Sequence, residues 1–334
     1  MLRREFLIRS AAAAPAALAL SGLDGCQRRP VDQSAVNIVS TSGTTNLVLT
    51  ALMSQMGYMK TLGVTPNFIN VADGNKVVGA LISGHADLCP SAGFTQVLAA
   101  EARGAALRLV AGGANKNFNA VFSGNPNVKT LKDLEGHSVG VGALGAQLHQ
   151  TMIALFHKFG VDSSKVRFAN VGSGVDVFKA VKARVVDAGP AEVWLARETD
   201  LHILENGKTF ESLPEFVNQA AFASQWTIAQ KRPLLIRTLA AYAELYRFIM
   251  TGDSEAAFIE ASASALGKKN PDAARAQWSF YRKIQPFAAN LELDPERVKF
   301  MQNLNISTGT QKLLLPYDRV ADMSLAQEAL KLVK

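Results

Sequence analysis

Short apolar runs alternate with segments of helical periodicity through the first two thirds of the chain. The runs predict strands over residues 36–39, 67–71, 86–89, 107–111, 138–141, 166–170 and 186–188. The segments between them predict helices over residues 47–56, 75–83, 95–102, 147–159 and 176–183. Strands that alternate with helices of about ten residues indicate parallel sheets built from βαβ units.

The pattern contains an internal repeat. Residues 79–87 (GALISGHAD) resemble residues 179–187 (KAVKARVVD), because each segment ends a helix, turns, and leads to an apolar residue followed by Asp. This repeat favours two similar lobes over one large sheet. Residues 222–229 are predicted to be the strand that returns the chain to the first lobe, and the tail is predicted to form long helices over residues 234–250, 254–266, 271–284 and 295–303.

The N-terminus has the pattern of an export signal over residues 1–26. Arg3 and Arg4 precede a short apolar stretch that ends near Leu20, which is too short to span a bilayer. The order of Arg3, Arg4 and the following apolar residues resembles the twin-arginine signal; a short amphipathic helix is the alternative. Residues 23–26 (LDGC) form a candidate lipobox with Cys26 as the lipidated residue. Asp24 departs from that pattern, so a lipoprotein and a soluble periplasmic protein both stay open.

The composition is that of an ordinary globular protein. Hydrophobic residues make up 48% of the chain and charged residues 19%. The net charge of +7 is spread over scattered basic residues, which argues against a nucleic-acid partner and favours an anionic ligand or a nearby membrane. Cys89 is predicted to be a buried thiol at a strand end, so the two cysteines provide no disulfide framework.

Five segments, taken in order, resemble the substrate-binding proteins of ABC importers in the sulfonate, nitrate, taurine and thiamine-precursor (SsuA-like) group. They are residues 57–64 (GYMKTLGV), 74–88, 131–141 (LKDLEGHSVGV), 160–166 and 184–188. The first loop, Ser42 to Asn46, departs from the group because it lacks the aromatic or proline residues that many relatives carry there.

The resemblance implies an α/β, two-lobed periplasmic binding protein fold (type II), with a ligand cleft between lobes joined by two crossing strands. Residues 36–117 plus 228–334 would form lobe I, and residues 118–227 would form lobe II. The implied function is capture of a small, anionic organic solute by a periplasmic monomer that delivers it to an ABC permease. Membrane contact would occur only through a lipid anchor at Cys26.

The first loop is the strongest candidate for ligand binding. It follows a strand and opens a helix, so backbone N–H groups and the positive end of the helix dipole would face the cleft. Ser42, Gly43, Thr44 and Thr45 are its predicted ligand-binding residues. The alternative is an ordinary Ser/Thr helix cap.

Further candidates lie in later loops. Residues 140–145 (GVGALG) match G-x-G-x-x-G, but the next strand ends at Asn170 instead of at the acid that a dinucleotide site needs. We therefore predict that the glycines allow a small ligand to approach the following helix. The predicted ligand-binding residues of these loops are Ser91, Gly93, Gly145, Ala146, Gln147, Ser173 and Gly174. Phe118, Trp194 and Trp226 are candidate aromatic walls of the cleft, or else core residues.

No pattern of metal ligands, nucleophile and base, or phosphate loop is present in the sequence, so no metal, cofactor or catalytic residue is predicted. The competing hypothesis is an enzyme on the same bilobed fold, of the thiamine-precursor or menaquinone-pathway type. The thiamine type has a cysteine-rich motif, which this chain lacks. A receptor that presents its ligand to a sensor protein is a third possibility that the sequence does not distinguish.

Overall fold

The computed structural model describes residues 33–198, 200–267 and 270–333. The predicted export signal and Cys26 lie outside these residues. The described part of the chain contains two β-sheets with helices on their faces, and no helix in it is long and apolar enough to cross a membrane.

The first sheet, which we assign to lobe I, combines a two-stranded part, β1 (Ala35–Thr41) and β2 (Thr65–Val71), with a three-stranded part, β3 (Cys89–Ala92), β4 (Leu107–Ala114) and β10 (Gln219–Ser224). Strand β10 falls within residues 118–227, the range predicted for lobe II. Strands β1 and β2 pair in parallel, and a parallel bridge between Ile38 and Leu88 joins β1 to β3. Strand β10 lies between β3 and β4 and is antiparallel to both. The order across the sheet is therefore β2-β1-β3-β10-β4.

The second sheet belongs to lobe II and repeats this arrangement with β5 (Asn119–Ser123), β6 (Ser138–Val141), β7 (Arg167–Asn170), β8 (Ala188–Glu192) and β9 (His202–Lys208). Its order is β7-β6-β8-β5-β9, with β6 parallel to β7 and β8 and with β5 antiparallel to β8. The parallel strands match in order: β1 lies between β2 and β3 in the first sheet, and β6 lies between β7 and β8 in the second. An antiparallel strand follows the third of these, β10 next to β3 and β5 next to β8. The two similar lobes predicted from the repeat are confirmed.

The helices occupy the connections and the tail. Those in the connections are α1 (Thr44–Met56), α2 (Tyr58–Thr61), α3 (Gly74–Ile82), α4 (Thr95–Glu101), α5 (Gln147–Phe159), α6 (Gly174–Lys182) and α7 (Thr209–Ser212). Those in the tail are α8 (Gln225–Thr251), α9 (Glu255–Leu266), α10 (Pro271–Ile284), α11 (Pro295–Ser307), α12 (Tyr317–Val320) and α13 (Ser324–Leu330).

The repeated aspartates have matching positions in the two lobes. The N–H of Asp87 donates to the carbonyl of Asn37 (2.8 Å), and its Oδ2 accepts from the N–H of Asn37 (2.9 Å). Asp187 makes the same pair of bonds with Ser138, at 3.1 and 2.9 Å. Asp87 thus links the turn before β3 to β1, and Asp187 links the turn before β8 to β6.

The returning strand differs from the prediction. It lies at Gln219–Ser224, and Gln225 begins α8, so the expected strand over residues 222–229 is wrong for most of its length. Helix α8 bends at Lys231 (φ −126°, ψ 22°), two residues before Pro233. Proline is tolerated in the first turn of a helix but not in its interior. The predicted helix start at residue 234 corresponds to the segment after this bend.

Candidate functional site

A cavity of about 280 Å³ is lined by residues at the carboxyl ends of parallel strands from both sheets. In lobe I these are the ends of β1, β2 and β3; in lobe II they are the ends of β6, β7 and β8. Open parallel sheets bind ligands at this edge. The cavity is lined by Thr41, Gly43, Thr45, Asn46, Ala72, Asp73, Gly74, Asn75, Gly93, Gln96, Phe118, Asn119, Gly142, Ala143, Ala146, Gln147, Leu148, Asn170, Gly172, Ser173, Gly174, Glu192, Asn218 and Gln219.

Two long helices open into the cavity without a side-chain cap. The N-cap of α1 is Gly43 and the N-cap of α5 is Ala146, and neither position has a capping hydrogen bond from a side chain. The first N–H groups of a helix have no partner within the helix. They carry the positive end of its dipole and are suited to binding an anion.

Helices α3 and α6, which also begin at the cavity, are capped by side chains at their own N-termini. Oδ1 of Asp73 accepts from the N–H groups of Asn75 (2.9 Å) and Lys76 (3.1 Å) at the start of α3. Ser173 and Asp176 form a capping box at the start of α6. Ser173 and Gly174 therefore line the cavity, but the side chain of Ser173 is already bonded to Asp176 (2.7 Å).

The structure brings part of the predicted first loop to the cavity. Gly43 and Thr45 line it, whereas Ser42 and Thr44 do not. The hydroxyl of Ser42 donates instead to the carbonyl of Val71 (3.1 Å), which fastens the loop to β2. The hydroxyl of Thr45 is 3.1 Å from that of Tyr281, in a buried contact with α10.

The later loops are also divided. Gly93, Ala146 and Gln147 line the cavity, whereas Ser91 and Gly145 do not. Ser91 is buried and donates to Oε1 of Gln219 (2.7 Å). Gly145 has a left-handed conformation (φ +79°), and its N–H donates to Nδ1 of His149 (3.1 Å).

The candidate aromatic residues have three different positions. Phe118 lines the cavity. Trp194 is buried behind it, with ring centroids 5.6 Å apart, and belongs to the core. Trp226 lies on the first turn of α8 and is 58% exposed, away from the cavity. Cys89 is buried and free, as predicted, and burial raises the pKa of its thiol to about 12.

Contacts across the cavity join the two lobes. Nε2 of Gln147 donates to Oδ1 of Asn218, at the start of β10. A Cβ on Gly93 would lie 2.7 Å from Oε1 of Gln147, so this glycine permits a close approach of α5 to β3. Further along α5, Nε2 of Gln150 donates to Oδ1 of Asn305 (3.0 Å) on α11.

The ionisable side chains at the cavity are acidic. Among the described residues that line it, Asp73 and Glu192 are carboxylates and none is Lys, Arg, His or Cys. Glu192 ends β8, is 9% exposed, and its Oε2 has no hydrogen-bond partner within the described residues. Burial raises the pKa of its carboxyl group above the ordinary value.

Several polar lining residues were not predicted from the sequence: the acids Asp73 and Glu192 and the amides Asn46, Asn75, Gln96, Asn119, Asn170, Asn218 and Gln219. For Asn170 and Glu192 a signal was present, since each ends a strand of lobe II. For Asn218 and Gln219 the signal was lost because the returning strand was placed too late.

Solved structures of similar fold include the periplasmic aliphatic sulphonate binding protein SsuA from Escherichia coli. It has 17% identity and a TM-score of 0.68, covering 87% of this chain and 92% of that one. The periplasmic nitrate-binding protein NrtA from Synechocystis PCC 6803 has 11% identity and a TM-score of 0.72, covering 90% and 89%. A DszB mutant in complex with biphenyl-2-sulfinic acid has 16% identity and a TM-score of 0.62, covering 90% and 99%.

These likenesses show the two-lobed periplasmic binding protein fold. No curated protein matches the chain in sequence. The profile of the family described as NMT1/THI5 like matches residues 45–256, which begin at the second residue of α1 and include the N-terminus of α5 and the whole range predicted for lobe II. The chain therefore belongs to the NMT1/THI5-like family.

Proposed function

We propose that the protein captures a small solute that carries an anionic group and delivers it to an ABC importer. The observation that carries this proposal is the pair of uncapped N-termini, α1 from lobe I and α5 from lobe II, which open into one cavity. A ligand that accepts hydrogen bonds from both would join the lobes and favour their closure. The roles of SsuA and NrtA, periplasmic binding of sulphonate and of nitrate, support the same class of function.

The chemistry of the cavity suits recognition of a polar solute. Asp73 and Glu192 are the ionisable side chains among the described lining residues, which include no Cys, His or Lys. Lining groups with hydrogen-bonding capacity are chiefly amides, such as Asn46, Gln96 and Asn119, which suit recognition of a polar solute.

We also propose that the chain is exported to a bacterial periplasm by the twin-arginine signal at Arg3 and Arg4. A permease partner requires this location. Fractionation of cells that express the full chain tests it, because retention of the protein in the cytoplasm would refute the export proposal. Lipidation of Cys26 is a separate expectation that this experiment does not depend on.

The anion site is tested by Gly43→Asp. Gly43 has an extended conformation (φ −64°, ψ 147°) that any residue adopts, and a Cβ there would meet only Oγ1 of Thr41, at 3.9 Å. Aspartate is a favourable N-cap, so folding should be preserved or improved. Its carboxylate would occupy the place of the ligand's anionic group and repel it.

The measurement has two stages. A thermal-shift screen of small organic and inorganic anions first identifies solutes that bind the folded protein. Calorimetry then compares the wild type with Gly43→Asp and with Gly43→Asn, which caps the helix without adding charge. We expect at least about a tenfold loss of affinity in the Asp variant, equivalent to about 1.4 kcal/mol, and a smaller change in the Asn variant. Equal affinities would place the anion elsewhere, and a screen without any binding solute would refute capture.

A further inference from the structure

Glu192 is a buried acid with one carboxyl oxygen that has no partner among the described residues. It is 9% exposed at the carboxyl end of β8, a strand whose five residues are all buried. Its Oε2 has no hydrogen-bond partner among the described residues, although the side chain lines the cavity. Buried polar groups are nearly always bonded, and an unpaired buried charge is costly. Oε2 of Glu192 can therefore accept a hydrogen bond that the described residues do not supply.

No cationic side chain is among the described residues that line the cavity with Glu192. Across the cavity, Asp73 is the other lining carboxylate, and its Oδ1 is already bonded to the first turn of α3. The start of α6 is close, since a Cβ on Gly174 would lie 3.1 Å from Oε2 of Glu192. That helix end is filled by the box of Ser173 and Asp176, and no hydrogen bond joins it to Glu192 within the described residues. The carboxylate is thus left facing the cavity.

We propose that Glu192 binds a positively charged nitrogen group of the solute, an ammonium or an amidinium. This inference rests on the proposed function, because it concerns the same cavity and the same captured molecule. The solute would then carry both an anionic group, held at the N-termini of α1 and α5, and a cationic nitrogen, held by Glu192. A nitrogen with several N–H donors forms charge-assisted hydrogen bonds with a carboxylate, which are stronger than neutral ones. The volume of about 280 Å³ restricts the solute to a small molecule.

The test uses matched probes that differ only in the nitrogen group. The pairs are 3-aminopropanesulfonate with propanesulfonate, and β-alanine with propionate; 3-guanidinopropionate extends the second pair. Thermal shift and calorimetry measure each probe on the wild type and on Glu192→Gln, which removes the charge with little change of shape. Glu101→Gln is the matched control, because Glu101 is also a buried, unpaired glutamate but does not line the cavity.

We expect the wild type and Glu101→Gln to bind the nitrogen-containing member of a pair at least about tenfold more tightly than its partner. In Glu192→Gln this preference should fall by a similar factor, while the unliganded melting temperature stays the same or rises. Equal binding within the pairs, no binding of any probe, or an unchanged preference in Glu192→Gln would overturn the inference. If Glu192→Gln lowers the melting temperature of the unliganded protein but keeps the preference for the nitrogen-containing probe, Glu192 stabilises the start of α6 instead of binding the ligand.

Failure of this inference is distinguishable from failure of the proposed function. If the anion screen identifies solutes that bind but carry no nitrogen group, Glu192 has another role and capture stands. If no solute binds in the screen or among the probes, both proposals are refuted.

Discussion

Replacing Glu101 with Gln should stabilise the unliganded protein, and the gain should grow with pH. Glu101 ends α4, is 7% exposed, and neither of its carboxyl oxygens has a hydrogen-bond partner among the described residues. Burial raises the pKa of its carboxyl group from 4.5 to about 9, and the charge of Arg108 offsets only part of this effect. The folded state therefore holds a proton that the unfolded state releases above pH 4.5.

The magnitude follows from this difference between the two states. Because the folded pKa is the higher one, the penalty is absent below the unfolded pKa and increases by about 1.4 kcal/mol for each pH step until pH approaches 9. At pH 7 it amounts to about 3 kcal/mol of lost stability. Glutamine is neutral at every pH, so Glu101→Gln removes this pH dependence. For a chain of this length, about 3 kcal/mol corresponds to about 6 °C in Tm.

The assay is urea unfolding of wild type and variant from pH 5 to pH 8, supported by thermal melts. Glu296→Gln, which removes a charge from an exposed position on α11, controls for the change in net charge. A difference in stability between wild type and Glu101→Gln that stays constant with pH would refute the reasoning, since a constant offset reports only the hydrogen bonding of the new amide. A gain in stability of Glu101→Gln that becomes smaller as pH rises would be opposite to the expected pH dependence and would also refute the reasoning.

Two further substitutions test the closure of the cavity and the core. Gly93→Ala would place a Cβ 2.9 Å from the Cβ of Gln147, so we expect this substitution to push the lobes apart. Calorimetry should show at least about a tenfold loss of ligand affinity, and small-angle scattering should show a larger radius of gyration. Unchanged affinity would show that α5 adapts locally. Lys231→Met removes the counter-ion 2.9 Å from the buried carboxylate of Asp87, and urea unfolding should show a loss of about 3 kcal/mol in the free energy of unfolding. The double variant Lys231→Met with Asp87→Asn should recover most of this loss, because it also removes the buried charge. A loss in the double variant equal to the sum of the single losses would contradict the pairing.

The sequence located β1, β2, β6, β7 and the helices between the strands well because their signals are local, whereas β3 and β8 begin only at the last residue of the strands predicted at 86–89 and 186–188. The bounds predicted for β6, α5 and α10 agree with the structure. A buried parallel strand is a short apolar run, and an amphipathic helix shows its own period, so neither requires knowledge of the partner. The repeat around Asp87 and Asp187 was also readable, because it encodes the same turn in each lobe.

The antiparallel strands were predicted less well. Strand β5 is buried throughout, but it is short and was not assigned; β9 carries charged residues and lies at a sheet edge. Strand β10 consists largely of small residues, and its place between β3 and β4 depends on a pairing across more than 100 residues of sequence. Such pairings leave little trace in local periodicity.

The site residues, like the strands, were predicted where the signal is local and missed where it depends on tertiary contacts. Gly43, Thr45, Ala146 and Gln147 were found because a strand end followed by a helix start is a local pattern. Ser42 and Thr44 belong to the same loop, but the loop turns them away from the cavity. The sequence cannot show which side chains of a loop face a ligand, since that depends on the contact of the loop with β2.

Overall charge also proved a poor guide to the chemistry of the cavity. The chain carries a net charge of +7, which suggested an anionic ligand, yet the described lining residues include two carboxylates and no basic side chain. Exposed charges are screened beyond about 8 Å at physiological salt, whereas groups in a closed cleft act on the ligand at short range. We therefore expect the N-termini at Gly43 and Ala146 and the unpaired carboxyl oxygen of Glu192 to have more effect than the surface charge on which solute binds. Ligand screens for this protein should accordingly begin with small molecules that carry both charges, before simple anions.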